Sequence, residues 1–236
     1  MKKYSGGCKV WGRLSAAGFV LALMLVVMGG EISSQAQSAP VYTPPVVAPN
    51  DTLSGIKYDS RWEFYGGPAY AHFDAGPNLL QGANLGGLDV QAARWSTRKW
   101  AAVGNLRAYL GTSGAVPNPY NIRGPFVAEF FALAGPEYRG PGNEHVSMTF
   151  HALAGAVYGL FDKALKTVPP ATVGFYNNQY AFGAALGGSI DLNRSQKLAF
   201  RISPDATLTN FGSNGIKEQF ALSVGIVYRL GHIPPR

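Results

Sequence analysis

The sequence has few charged residues and one cysteine. Asp, Glu, Lys and Arg make up 14% of the 236 residues, against roughly 25% in a typical soluble domain. Aromatic residues make up 12% and glycine occupies 30 positions, a composition that excludes a disordered chain. The single cysteine, Cys8, has no partner and precedes Lys9, so neither a disulfide nor a lipid-anchor site is predicted.

Long hydrophobic runs are lacking after the N-terminus. A helical membrane protein needs repeated apolar runs of about 20 residues, and the sequence does not contain them. The formal net charge of +7 comes from basic residues that are scattered singly, whereas nucleic-acid-binding proteins gather them in a patch or stripe. We therefore expect neither helical membrane spans nor a nucleic-acid partner.

Residues 1–36 have the pattern of a secretory signal peptide. An apolar run of roughly 15 residues, Leu14 to Met28, follows a basic region. Ser34-Gln35-Ala36 provides small residues at both positions that signal peptidase reads, which predicts cleavage before Gln37. An uncleaved anchor is the alternative, and the shortness of the run disfavours it. Removal of four cations and one carboxylate would lower the net charge from +7 to about +4.

Residues 37–61 read as a proline-rich periplasmic linker. They show no period of 2 or 3.6 residues, and such stretches stay extended or flexible. The prolines of this segment are Pro40, Pro44, Pro45 and Pro49.

Residues 62–231 alternate between apolar and polar side chains in eight segments, each ended by Gly, Pro, Asn or Ser. The first two segments are interrupted by glycines at 66–67 and 86–87, where a β-bulge is expected. This length accommodates one all-β domain. The predicted strands lie near 62–73, 84–94, 100–110, 126–138, 146–159, 180–191, 198–208 and 219–230.

The two faces of each predicted strand differ in composition. In the last strand Val224 and Ile226 lie on an apolar face, and Ser223, Gly225 and Arg229 lie on the other. A soluble sandwich or lipocalin-like barrel would bury the apolar face. However, the apolar faces are almost free of charge over about ten residues, the length of a tilted membrane-spanning strand. The opposite faces are rich in Gly, Ala and Ser, which suits a narrow interior, so the pattern favours an eight-stranded antiparallel up-and-down transmembrane β-barrel.

Connection lengths support this interpretation. Links at 95–99, 139–145 and 192–197 are short, whereas those at 74–83, 111–125, 160–179 and 209–218 are longer. Outer-membrane barrels have short periplasmic turns and long external loops. Amphipathic aromatic rings lie at headgroup level in such proteins. The aromatic residues expected at the periplasmic rim are Trp62, Trp95, Trp100, Tyr138 and Tyr228.

The segments FGAALGGSIDLNRSQKLAFRISPDATLTNF (182–211) and FALSVGIVYRLG (220–231) resemble the last three strands of a known family. They are similar to small outer-membrane β-barrel proteins related to the transmembrane domain of outer-membrane protein A. The resemblance is best over strands four to eight. It implies that the barrel assembly machinery reads a terminal-strand signal, which would consist of Ser223, Gly225, Tyr228 and Leu230.

Eleven titratable residues are predicted to face the lumen. An eight-stranded barrel is just wide enough for its own side chains, so these charges are interpreted as a network of ion pairs, with Glu63 and Arg229 paired where the first and last strands meet. A proton path or a catalytic cluster is the alternative. The predicted set is Glu63, Asp89, Arg107, Glu129, Glu137, Arg139, His151, Asp191, Arg201, Asp205 and Arg229.

The sequence provides no sign of an enzyme. His151 with Ser147 or Ser189 would suit an outer-membrane lipid-modifying enzyme, such as lipid A palmitoyltransferase, but neither serine lies in a nucleophile motif. The remaining histidines lack metal-ligand spacing, and the glycine pairs are not followed by a phosphate-binding helix. No metal or cofactor is therefore expected.

We thus expect an outer-membrane barrel with a structural or surface-interaction role, which could include that of a narrow, low-conductance porin. A loop-borne adhesin or receptor and a lipid-modifying enzyme are the alternatives. The expected partners are outer-membrane lipid and the barrel assembly machinery, and the sequence does not identify a ligand for the external loops.

Overall fold

The computed structural model describes residues 56–77, 82–163, 165, 167–212 and 215–234. The predicted signal peptide and linker residues 37–55 lie outside these residues. Eight strands are present in the described part of the chain, as the sequence predicts: β1 (Trp62–Phe73), β2 (Ala83–Trp95), β3 (Trp100–Thr112), β4 (Phe126–Gly142), β5 (Val146–Leu160), β6 (Gln179–Asn193), β7 (Leu198–Thr209) and β8 (Lys217–Leu230).

The strands form one closed antiparallel barrel, which confirms the predicted fold class. Each strand pairs with its neighbours in sequence, and β1 pairs with β8. A short 3₁₀ helix, Pro170–Val173, lies between β5 and β6. Among the described residues, no helix has the length and hydropathy needed to cross a membrane.

The expected bulge in the first two strands is wrong. β1 and β2 pair without interruption from Trp62 opposite Arg94 to Phe73 opposite Ala83. The glycines of these strands are accommodated by regular pairing, and the register shift occurs instead between β4 and β5, at Arg139/Gly142. This irregularity extends β4 beyond its predicted end and leaves a turn at 143–145.

Large apolar side chains cover the outside of the barrel, and its inside holds the buried charged side chains together with apolar ones such as Leu85, Phe131 and Leu153. Leu88 and Leu106 are 63% and 59% exposed, whereas Glu137 and Arg201 are 0% and 2% exposed. Successive side chains of a strand point to opposite faces, so the alternation in the sequence becomes an inside-outside alternation in the barrel. The lumen therefore contains buried charges and the outer surface is apolar, in contrast to a soluble β-barrel.

Trp95 departs from the expectation for the rim aromatics. Its side chain points into the lumen and is 2% exposed. Trp95 lies an even number of residues from Asp89 and Gln91 along β2, so the three side chains point to the same face of the strand. The guanidinium of Arg139 lies 3.6 Å from the centre of its ring system. The outward-facing aromatics at this rim are Trp62, Trp100, Tyr138 and Tyr228.

The two ends of the barrel have different connections. We call the end that carries the short connections, at 96–99, 143–145 and 194–197, the turn end. The loop end carries the connections at 74–82, 113–125, 161–178 and 210–216. Residues 56–61, the last of the predicted linker, pack at the turn end, where the Arg61 amide donates to the Leu230 carbonyl over 3.1 Å.

Two glycines let β1 and β8 approach closely where they close the barrel. A Cβ atom on Gly67 would lie 2.1 Å from the Val224 carbonyl oxygen, and one on Gly225 would lie 2.3 Å from the Gly66 carbonyl oxygen. Both obstacles are backbone atoms, which cannot move without distorting the ladder. Side chains are therefore excluded at both positions.

We expect Gly225→Ala to lower the free energy of unfolding by about 1–3 kcal/mol, because the added methyl group overpacks this seam. The matched control is Gly104→Ala, since a Cβ atom at Gly104 meets nothing within 4 Å. Urea unfolding of protein refolded without assembly factors measures both variants and separates stability from any role of Gly225 in assembly. Equal effects of the two substitutions would contradict the steric argument.

Candidate functional site

The structure places all eleven of the predicted lumen residues inside the barrel, each with no more than 6% of its surface exposed. They divide into two clusters and one separate carboxyl group, Glu129. The turn-end cluster consists of Glu63, Glu137, Arg139, Asp191, Arg201 and Arg229. The central cluster consists of Asp89, Arg107, His151 and Asp205.

Glu63 is shared by three arginines of the turn-end cluster. Arg139 pairs with its Oε1 atom, Arg201 NH2 lies 3.4 Å from Oε2, and Arg229 Nε lies 3.6 Å from Oε1. Ser60 Oγ also donates to Oε1 over 3.1 Å. β1 thus contributes a single carboxylate that connects β4, β7 and β8 across the lumen.

Asp191 is the second anion on which these arginines converge. Arg201 donates to both of its carboxylate oxygens, over 2.6 and 2.9 Å, and Arg229 NH2 donates to Oδ2 over 3.1 Å. Glu137 completes the cluster with Arg201 NH1 at 3.9 Å and a 3.0 Å hydrogen bond from Gln91. Because Arg201 contacts both carboxylate oxygens, the orientation of its guanidinium plane is fixed as well as the position of its charge.

Tyr58 and Trp95 enclose the turn-end cluster, a role that no pattern in the sequence indicates. The Arg139 guanidinium lies between the two rings, 5.2 Å from the Tyr58 centroid and 3.6 Å from that of Trp95. Arg229 lies 5.5 Å from the Tyr58 ring. The Tyr58 hydroxyl accepts a 2.6 Å hydrogen bond from Asn193. A residue of the predicted linker therefore covers the lumen at this end.

The central cluster connects opposite walls of the barrel. Arg107 on β3 forms an ion pair with Asp205 on β7, with 2.5 Å between NH2 and Oδ2, and its Nε atom lies 3.6 Å from Asp89. Asp89 also accepts hydrogen bonds from Asn105, at 2.6 Å, and from Ser223, at 2.9 Å. The lumen is consequently crossed by side chains at mid-height.

His151 belongs to the central cluster. Its Nε2 atom lies 2.8 Å from Asp205, which also pairs with Arg107. Ser189 shares a 2.7 Å hydrogen bond with Thr149. In the described residues, neither Ser189 nor Ser147 is hydrogen-bonded to His151.

Glu129 lies apart from both clusters. It is fully buried, and neither carboxyl oxygen has a hydrogen-bond partner of good geometry within the described ranges. The side chain of Gln219 lies next to it, but the Gln219 amide donates to Thr209 over 2.9 Å. Its side chain is buried on the lumen side of β4, and its lack of a partner could not be deduced from the sequence.

An aromatic plug closes the loop end. Phe73, Phe161, Tyr176 and Phe211 form this plug, and all four are buried. The Phe161 and Phe211 rings meet edge to face at 5.5 Å, and Phe73 lies 6.1 Å from Phe161. Burial raises the pKa of the Tyr176 phenol, and the nearby Asp74 carboxylate raises it further.

The loops around the aromatic plug are fixed to one another. The Tyr176 amide donates to the Ala75 carbonyl over 3.2 Å, and the Val116 amide donates to the Val173 carbonyl over 3.3 Å. The connections at 74–82, 113–125 and 161–178 are thereby joined. The loop end is an apolar closure, in contrast to the charged closure of the turn end.

The four residues of the predicted assembly signal occupy both faces of β8. Ser223 and Gly225 occupy positions of β8 that face the lumen, whereas Tyr228 and Leu230 are exposed on the outside. In the part of the chain that the structure describes, no group of three His, Cys, Asp or Glu residues is arranged to hold a metal ion.

Comparison with solved structures finds related barrels. The chain is similar to Neisserial surface protein A, with 10% sequence identity and a TM-score of 0.50 over 72% of this chain and 98% of that one. It is also similar to Ail, the attachment invasion locus protein of Yersinia pestis, with 16% identity and a TM-score of 0.48 over 73% and 99% of the two chains.

A third similar structure is the outer membrane protein OprG of Pseudomonas aeruginosa, with 11% identity and a TM-score of 0.46 over 73% of this chain and 96% of that one. No protein-family model and no curated protein matches the sequence. The likeness to Neisserial surface protein A shows a shared barrel fold, and it confirms the resemblance to small outer-membrane barrels at the level of the fold.

We expect Glu63→Gln to lower the free energy of unfolding by about 3–5 kcal/mol, because it leaves buried arginines without their shared anion. Glu129→Gln is the matched control. It makes the same chemical change in the same lumen at a carboxyl group without a cationic partner, so we expect a change below about 1 kcal/mol. Urea titration of the refolded proteins measures both. A larger loss for Glu129→Gln than for Glu63→Gln would contradict this assignment of the pairs.

Proposed function

We propose that this protein is an outer-membrane β-barrel with a closed lumen and a structural or surface-interaction role. The observation that carries the proposal is the inverted distribution of side chains. Apolar residues such as Leu88, Leu106 and Phe200 are exposed over the outer surface, while charged residues are buried. A surface of this kind is stable in hydrocarbon and unfavourable in water.

Aromatic residues at both ends of the strands support a membrane location. Trp62, Trp100 and Tyr228 are exposed at the turn end, and Tyr70 and Tyr180 are exposed towards the loop end. Membrane barrels carry two such girdles at the membrane-water interfaces. The turn end would then face the periplasm, and β8 would present its terminal residues to the barrel assembly machinery.

The filled lumen favours a structural or interaction role over that of a porin. The turn-end cluster, the central cluster and the aromatic plug occupy successive levels of the interior. Opening a pore would require breaking ion pairs whose partners would remain buried, which is costly. For the same reason we do not propose an enzyme, since His151 is committed to Asp205.

An ordered loop supports an interaction role at the loop end. The Asn118 side chain accepts hydrogen bonds from the Tyr120 and Ile122 amides, at 3.2 and 3.1 Å, and donates to the Val116 and Ile122 carbonyls. This fixes the connection between β3 and β4, from which Tyr120 projects with 56% exposure. Rigid loops with exposed tyrosine lower the entropy cost of binding a partner.

Charged substitutions on the outer surface test the membrane location. Val224→Arg places a charge midway along β8, and we expect it to reduce the folding free energy in lipid vesicles by about 2–4 kcal/mol. Phe200→Arg, nearer the end of β7, should cost less because the penalty falls towards the interface. Ser223→Thr is the inward-facing control, since it keeps the hydroxyl that donates to Asp89. Costs that do not depend on depth would contradict a membrane location.

Electrical recording tests the closed lumen. We expect the wild-type protein, inserted in planar bilayers, to show no steady conductance, because side chains cross the interior at several levels. Arg201→Ala removes contacts to Glu63, Glu137 and Asp191, and we expect it to lower stability and to raise leakage. Heat-dependent gel mobility of the same samples reports whether the barrels are folded. A large, stable conductance from the folded wild-type monomer would support the porin alternative instead.

A further inference from the structure

The two ends of the barrel differ in surface charge. In the described residues of the loop end, three cations (Arg123, Lys163 and Lys217) are balanced by three carboxylates (Asp74, Asp162 and Glu218). At the turn end, two carboxylates, Asp59 and Glu144, lie among an excess of exposed cations. These seven cations are Lys57, Arg61, Arg94, Arg98, Lys99, Arg194 and Lys197.

Part of this excess surrounds a cavity at the turn end. The cavity has a volume of about 490 Å³ and lies between the segment before β1, the β2–β3 turn and the β4–β5 turn. Its lining includes Lys57, Arg98, Lys99 and Arg139, and no carboxylate. Among the described residues, the Lys57, Arg98 and Lys99 side chains make no salt bridge. Three cations are thus held together without an anion of their own.

Arg139 fixes the two cationic walls of this cavity in place. Its NH1 group donates to the Tyr58 carbonyl over 3.1 Å and to the Arg98 carbonyl over 3.3 Å. Its own amide donates to the Lys99 carbonyl over 2.8 Å. The backbone positions that carry Lys57, Arg98 and Lys99 are therefore set before any anion binds, which removes part of the ordering cost of binding.

The β2–β3 turn is also rigid. Thr97 Oγ1 accepts hydrogen bonds from the Lys99 amide, at 3.2 Å, and from the Trp100 amide, at 3.0 Å. Trp100 is exposed on the outer surface and lies 5.0 Å from the Tyr138 ring. The cavity consequently lies beside the aromatic girdle, at the level where lipid phosphates meet a membrane barrel.

We propose that this cavity is a binding site for a phosphate group. Lys57, Arg98 and Lys99 supply charge-assisted hydrogen bonds to its oxygens, and Ser147 lines the same cavity. The phosphate belongs either to an anionic phospholipid of the adjacent leaflet or to a soluble phosphate compound. The lipid source rests on the proposed membrane location, whereas the soluble source does not.

A second cavity provides a control at the same end of the barrel. It is lined by Lys57, Lys197 and Arg229 but also by Asp59, whose carboxylate opposes an incoming anion. Arg194 and Lys197 lie on the β6–β7 turn and resemble Arg98 and Lys99 in charge and exposure. Arg194→Gln/Lys197→Gln therefore changes the overall charge as Arg98→Gln/Lys99→Gln does, but outside the proposed site.

The test uses full-length protein folded in a phosphate-free maltoside detergent. Inorganic phosphate is titrated at constant ionic strength while the amide NMR signals of Lys57, Arg98 and Lys99 are followed. Native mass spectrometry compares phosphatidylglycerol with phosphatidylcholine. We expect saturable binding that Arg98→Gln/Lys99→Gln weakens by about tenfold or more, through loss of charged hydrogen bonds, and that the control variant leaves within about twofold.

The results distinguish a lipid phosphate, a soluble phosphate and the absence of a phosphate site. Binding of phosphatidylglycerol alone supports the lipid source, binding of inorganic phosphate alone supports the soluble source, and binding of both supports recognition of the phosphate group itself. No saturable binding of either probe, or an equal loss in both double variants, would overturn the proposal. Heat-dependent gel mobility confirms folding of each variant, and the membrane location is decided independently by the Val224→Arg experiment.

Discussion

The mutual neutralisation of charges in a narrow lumen is the constraint on which the rest of this structure depends. A buried ion without a partner costs several kcal/mol, and each predicted lumen residue except Glu129 lies within ion-pair distance of an oppositely charged or ionisable group. Arg107, Arg201 and Arg229 each contact at least two carboxylates, and Arg139 combines Glu63 with two backbone carbonyls. Within each of the two clusters the charges thus form a connected network rather than a set of separate pairs.

This constraint also helps to determine how the strands pair. Three ion pairs join direct cross-strand neighbours, namely Glu63 with Arg229, Asp89 with Arg107, and Asp191 with Arg201. A one-residue slip at any of these ladders would turn the charges of one strand towards the outer surface. In a membrane that error costs far more than in water. The ion pairs inside the barrel therefore specify the register of the strands, which the uniformly apolar outer surface does not specify.

The sequence was sufficient for the strands, their faces and the residues of the network, because a period of two determines which side of a sheet a residue occupies. The sequence did not show how deep in the lumen a side chain lies, or which side chains of other strands it meets there. Arg107 and Asp205 meet across the lumen although they lie on non-adjacent strands, and Tyr58 covers the turn end from a segment without periodicity. For Trp95 the alternation of side chains along β2 was the better guide. It places the ring in the lumen, where the structure has it, whereas the position of Trp95 near the rim suggested the outer surface.

The two closures divide the barrel into regions of different chemistry. Charged pairs close the turn end, where every contact is directional and a substitution leaves an orphaned partner. Aromatic packing closes the loop end, where contacts are non-directional and volume is the main requirement. Glu129 lies apart from both kinds of contact and is buried without a cation among the described residues. The loop end can therefore accommodate changes in loop sequence that preserve apolar volume, whereas the turn end depends on the identity of each charge.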